Sequence, residues 1–174
     1  MCTGSGTKKR RKNLEQKKLK NEDKKTVTAF LSGKVIPLKE VGDGVFSEGI
    51  MGDGFAILPE TETLYSPVDA EITVLMEDSR HACGLRLDNG MEILLHIGID
   101  TVSMNGDGFA YLVQEGEKVC AGTPLIRFDR KKIKEAGHPD VTVCIITEQG
   151  NAENVHFYTG IQAEANKTIV AEFQ

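Results

Sequence analysis

Residues 79–108 read SRHACGLRLDNGMEILLHIGIDTVSMNGDG, and the way this stretch folds on itself decides the architecture. Two apolar-biased runs flank Asn89-Gly90, the dipeptide whose backbone most readily supplies the positive φ angles of a tight hairpin turn. Each run carries one of the four histidines in the chain, His81 and His96. A two-residue turn at Asn89-Gly90 predicts that Asp88 pairs with Met91, Cys83 with His96 and His81 with Gly98. Opposed residues of an antiparallel pair share a face, so His81 and His96 become diagonal neighbours with Cβ atoms roughly 7–8 Å apart. A three-residue turn that also uses Asp88 shifts the register by one and assigns the two histidines to opposite faces. The two-residue turn is expected, because Asn and Gly most easily supply its positive φ angles.

Working outward, the 174-residue chain is 40% apolar, enough for one domain with one core. Its net charge of −5 hides two regions. Residues 1–25 hold ten Lys or Arg against three Asp or Glu, whereas residues 26–174 hold eleven against twenty-three. The first region reads as a basic, solvated, disordered tail and the second as a single acidic domain. An acidic body argues against nucleic-acid binding, which needs a basic surface. The tail offers weak contact with an anionic membrane surface. No stretch has the apolar length of a membrane-spanning helix, and the basic start has no apolar run of a secretory signal after it. Cys2, Cys83, Cys120 and Cys144 show no CxxC spacing, which fits free thiols in a reducing cytoplasm.

Eighteen glycines and five prolines punctuate short runs of alternating apolar residues. Strands are predicted at Thr28–Lys34, Phe55–Leu58, Thr63–Tyr65, Ala70–Met76, Phe109–Val113, Leu125–Phe128 and Val141–Thr147, with late strands near Val155–Tyr158 and Thr168–Phe173. Only residues 129–137, DRKKIKEAG, read as a helix, capped by Asp129 and stopped by Gly137. The fold class is all-β: an antiparallel β-sandwich or barrel with very little helix. Glycines 49–54 lack GxxxxGK[ST], so they read as tight turns and not as a nucleotide loop. Tyr65–Ile72 and Glu115–Pro124 faintly echo each other, as the two hairpin elements of swinging-arm carrier domains do, but no lysine stands at a hairpin tip to carry a prosthetic group. No cofactor is expected.

Three readings of the histidine pair follow from the residues. Both imidazoles can be structural, hydrogen-bonded at a sheet surface. They can ligate zinc together with Cys83 or Asp100. Or one ring attacks a phosphoryl group while the other donates to its oxygens, with Asp100 as an acidic neighbour and the apolar Ile93, Leu94, Leu95, Ile97 and Ile99 as floor and docking rim.

The segment Gly90-Met-Glu-Ile-Leu-Leu-His-Ile-Gly-Ile-Asp-Thr-Val102 resembles the active-site segment of the glucose-class enzyme IIA phosphocarriers of the bacterial phosphoenolpyruvate-dependent sugar phosphotransferase system. Met51-Gly-Asp-Gly54, Ser66-Pro-Val-Asp69, His81-Ala82, Asn105-Gly-Asp-Gly-Phe109, Gly122 and Phe128-Asp129 extend the resemblance over roughly residues 30–158. It implies a β-sandwich of duplicated hybrid-motif type and a phosphotransferase component. It also implies that His96 is phosphorylated through Nε2 and that His81 contacts the phosphoryl group. Ser79 stands in for a threonine near the rings, and Asp100 is the acidic residue beside the site. The implied donor is the histidine phosphocarrier HPr and the implied acceptor a cysteine on a IIB domain. Family members also bind regulatory targets through the same apolar face. Glu77 stands where an aromatic often lines the docking patch. Val143 and Glu148 replace a frequent proline and asparagine, and neither is expected to touch the histidine pair.

Overall fold

The computed structural model describes residues 24–174. Its strands are β1 (Lys25–Thr28), β2 (Gly33–Pro37), β3 (Asp53–Pro59), β4 (Thr63–Tyr65), β5 (Ala70–Leu75), β6 (Ala82–Arg86), β7 (Glu92–Ile97), β8 (Phe109–Tyr111), β9 (Lys118–Val119), β10 (Pro124–Phe128), β11 (Thr142–Glu148), β12 (His156–Phe157), β13 (Gln162–Ala163) and β14 (Ile169–Phe173). One short helix, α1 (Arg130–Glu135), starts where the Asp129 carboxylate accepts the Lys132 N–H and ends before Gly137 at φ 83°. Apart from two 3-10 turns, Leu38–Glu40 and Thr101–Met104, no other helix occurs among the described residues. The fold is the antiparallel all-β sandwich or barrel that the turn-punctuated sequence implies.

An eight-stranded sheet in the order β13-β2-β3-β11-β7-β6-β5-β9 is joined by two three-stranded sheets, β1-β14-β12 and β4-β10-β8. Every strand pair is antiparallel. The inward face of the large sheet, with Val35, Phe55, Ile57, Cys83, Leu85, Ile93, Leu95, Ile97 and Cys144, meets Phe30, Leu64, Leu125, Ile126, Val170 and Phe173 in the main core. The outward face carries a second, smaller apolar cluster of Ile36, Leu38, Phe46, Ala56, Val141, Val143 and Ile145. A strand buries every second residue, so two apolar faces on one sheet require near-continuous apolar runs. Residues 141–145, Val-Thr-Val-Cys-Ile, supply such a run and are buried throughout.

The expected first strand, 28–34, is instead two. Ala29, Phe30 and Leu31 lie buried between β1 and β2, and Gly33 opens β2 where it was expected to break a strand. A Cβ at Gly33 would stand 1.9 Å from the Leu58 carbonyl oxygen, so the glycine permits the close approach of β3. Lys25 already pairs with Phe173, so strand pairing begins one residue before Thr26. The rest of the tail reading lies outside the described residues, Lys24 and Lys25 excepted. The two echoing stretches lie side by side: Ala70 pairs with Val119 and Glu71 with Lys118, and the Ile72 N–H donates to the Glu117 carbonyl at 2.8 Å.

Candidate functional site

His96 belongs to β7, whose residues alternate between buried Ile93, Leu95 and Ile97 and the outward Leu94 and His96. Across the ladder it stands between Ala82 on β6 and Val143 on β11, and Val143 in turn lies beside Ala56. Val143 therefore flanks His96 directly, contrary to the expectation that this position stays clear of the histidines. Small and apolar neighbours leave the imidazole in a shallow, poorly solvated floor. Phe46 covers one side, with its ring centroid 5.0 Å from that of His96. The loop bearing Phe46 is organised by Asp43, whose carboxylate accepts the N–H groups of Val45, Phe46 and Ser47 at 3.2, 3.1 and 3.0 Å. Burial raises the Asp43 carboxyl, but these backbone bonds outweigh it and hold the group below its ordinary range.

The hairpin between β6 and β7 has the three-residue-turn register, one residue off the two-residue expectation. Ala82, not Cys83, opposes His96, and Leu87 opposes Met91 around a three-residue turn. Gly90 takes φ 84° while Asn89 does not enter the left-handed region, so the turn lacks the pair of positive φ angles that a two-residue type I′ turn demands. The Asn89 side chain instead accepts the Met91 N–H at 3.0 Å. Cys83 consequently faces the core, away from His96, and is lost as a zinc ligand.

The histidines nevertheless meet. Their ring centroids are 4.6 Å apart and the rings are edge-to-face at 88°. His81 lies just before β6, where strand alternation no longer dictates direction, and it follows Arg80 in the left-handed conformation at φ 53°. The Ile97 N–H donates to the His81 carbonyl at 2.8 Å, and Ser79 Oγ bonds His81 Nδ1 at 2.8 Å. Ser79 and His81 are 6% and 3% exposed, so this pair is fixed inside the fold.

His96 Nδ1 lies 2.9 Å from the Gly98 carbonyl oxygen. A carbonyl only accepts, so Nδ1 carries the proton and Nε2 is left with its lone pair. The carbonyl is placed by a tight turn: Gly98 sits at φ 73°, its N–H donates to Val141, and Thr101 Oγ1 donates to the Ile97 carbonyl. Burial, and then the neighbouring His81, push His96 down to about 4, against the opposing pull of the Gly98 bond and Asp43. Burial lowers His81 as well. Both rings are neutral at pH 7.

Asp100 is the one expected site residue that no bond brings to the rings. It is exposed, in the left-handed conformation at φ 59°, and its carbonyl accepts from Ser103 Oγ. The acidic group whose field reaches His96 is Asp43, which sequence reasoning passed over. Among the described residues no group of three His, Cys, Asp or Glu is arranged to hold a metal ion.

A half-buried, neutral imidazole with one nitrogen anchored and the other free, beside a second imidazole, is suited to carrying a transferable group. The sequence model of the phosphoenolpyruvate-dependent sugar phosphotransferase system EIIA family matches residues 25–152. The chain belongs to that family. Among solved structures it is similar to glucose permease IIA from Mycoplasma capricolum, with 34% identity and a TM-score of 0.78. That match covers 86% of this chain and 96% of the other. A phosphotransfer role in sugar transport follows for this EIIA chain, and the pairing of His81 with His96 lies in its matched region.

Proposed function

We propose that this EIIA protein is a phosphohistidine relay that takes a phosphoryl group from HPr onto His96 and passes it to a cysteine of a IIB domain during sugar uptake. The observation that carries the reading is the Gly98 anchor, which leaves Nε2 of a neutral His96 as the nucleophile. The Nε2 lone pair attacks phosphorus as the phosphorus–nitrogen bond to the HPr imidazole breaks, and that imidazole keeps the electron pair. His96 Nδ1–H stays on the Gly98 carbonyl, which stabilises the positive charge gained by the ring. For His81 to donate to the phosphoryl oxygens, its Nε2 must carry the proton and its Nδ1 must accept. Ser79 Oγ, 2.8 Å from Nδ1, is the group that donates to it. In the onward step a cysteine thiolate attacks phosphorus, and the bond to His96 Nε2 breaks.

The exposed apolar side chains of Val45, Ile50 and Met51 lie on the same loop as Phe46 and supply a docking rim for protein partners, regulatory targets included. Among the described residues no helix is long and apolar enough to cross a membrane. Similarity to a glucose permease IIA favours a glucose-class permease as the acceptor. Phosphorylated protein mixed with that permease's IIB domain tests the onward step. Loss of label from the wild type, and retention of label by His81→Gln, are expected; equal release by both proteins would remove His81 from the mechanism.

A further inference from the structure

The Tyr111 hydroxyl has no role in the relay itself. Tyr111 lies on β8, in the three-stranded sheet β4-β10-β8, yet its phenol reaches the segment between β5 and β6. The hydroxyl accepts the Met76 N–H at 2.8 Å and donates to the Ala82 carbonyl oxygen at 2.6 Å. A hydroxyl has one proton, and of the two carbonyls within reach, Ala82 at 2.6 Å and Met76 at 3.4 Å, the nearer one takes it. Burial pushes the phenol up to about 12, so it keeps that proton at any working pH.

Met76 and Ala82 bracket the segment that carries Ser79 and His81. Within it, the Arg80 N–H closes a turn on the Met76 carbonyl at 2.7 Å, and Arg80 holds φ 53°. Below it runs Gly106, where a Cβ would stand 2.7 Å from the Asp78 carbonyl oxygen. The segment forms no strand, so its position depends on these few bonds. Ile97 N–H holds the carbonyl of His81 itself, and Tyr111 holds the next carbonyl along.

We propose that Tyr111 is a positioning residue of the transfer site: its hydroxyl ties down the main chain on both sides of Ser79 and His81 and so sets the His81 ring against His96. The kinetic part of this inference rests on the relay reading, and the geometric part does not. Packing alone would be served by phenylalanine; only the hydroxyl makes the two bonds.

Tyr111→Phe keeps the ring and deletes both bonds. Proton–nitrogen correlation spectra of the imidazoles are expected to show shifted signals, or an altered tautomer balance, for His81 and His96, with His138 and His156 unmoved. With phospho-HPr as donor, kcat for His96 labelling is expected to fall roughly 10-fold with KM unchanged, since the reacting groups are displaced and the docking face is not. In a His81→Gln background the same substitution is expected to cost nothing further, because it acts through His81. Unchanged imidazole signals would overturn the proposal, and so would a loss of the same size without His81. Should Tyr111→Phe fail to fold, difluorotyrosine at position 111 preserves the ring, and its ionisation removes the same proton. His81 signals that follow that ionisation support the proposal, and indifferent signals refute it. If wild-type His96 takes no phosphate the relay reading fails, and the spectra still decide the positioning role.

Discussion

Acidification should destabilise this protein through His96 in a calculable way. The unfolded chain protonates this imidazole near its ordinary 6.5, whereas burial and His81 hold it to about 4 in the folded protein. Between those values the unfolded state binds more protons, so stability falls as pH falls. The contribution is fully present above pH 6.5 and is lost by pH 4. At about 1.4 kcal/mol per pKa unit, the separation corresponds to about 3 kcal/mol in total, of which about 2 kcal/mol is gone by pH 5. His81, lowered by its own burial, adds in the same direction. Urea unfolding of the wild type and of His96→Gln from pH 8 to 4.5 measures the difference directly. The wild type should lose about 2 kcal/mol relative to the variant between pH 7.5 and 5. Parallel curves, or a relative gain on acidification, would show that His96 is not held neutral and would remove the basis for a nucleophilic Nε2 across the same range.

Other substitutions probe the parts around the ring. Gly98→Ala places a Cβ 2.4 Å from Thr101 Cγ2 and 2.9 Å from the Pro139 carbonyl at φ 73°, so urea unfolding should show a loss of about 2 kcal/mol. Its labelling on His96 should fall because the Nδ1 anchor moves. Phe46→Ala should cost about 3 kcal/mol and, by admitting water, raise the His96 pKa toward 6.5 in a histidine titration followed by magnetic resonance. Burial pushes Cys83 and Cys144 up to about 12, while Cys120 is exposed. In a Cys2→Ser background one thiol should therefore react rapidly with a disulfide reagent in the native protein, and three only after unfolding.

What was legible in the sequence divides along physical lines. Apolar runs bounded by turn residues located β3, β4, β5, β7, β10 and β11; β7 buries alternate residues, whereas β3 and β11 bury both faces and stand out as continuous apolar runs. The Asp129 cap and Gly137 stop marked the helix for the local reasons that make such signals dependable. The hairpin register was not legible, since Asn-Gly serves both the two-residue turn and a three-residue turn with one left-handed glycine. Choosing the first put Cys83 beside His96 and gave the wrong reason for the histidines meeting. They meet because the chain leaves the β6 alternation at His81, after a left-handed Arg80 that no residue pattern advertises. Asp43 and Phe46 were missed because they reach the site from a glycine-rich loop some fifty residues away in sequence. A buried aromatic preceded by Asp-Gly was their only local signal. The resemblance to the EIIA family named His96, His81 and Ser79, which the structure brings together, and Asp100, which it leaves exposed.

A relay through this site requires that Nε2 of His96 carry the phosphoryl group. Incubation with phosphoenolpyruvate, enzyme I and HPr, followed by phosphorus–nitrogen correlation spectroscopy on the nitrogen-15-labelled protein, tests it directly. One phosphoryl group is expected on His96 Nε2, absent from His96→Gln, with Nδ1–H still on the Gly98 carbonyl. Phosphate on Nδ1, on His81, or on no histidine would contradict it.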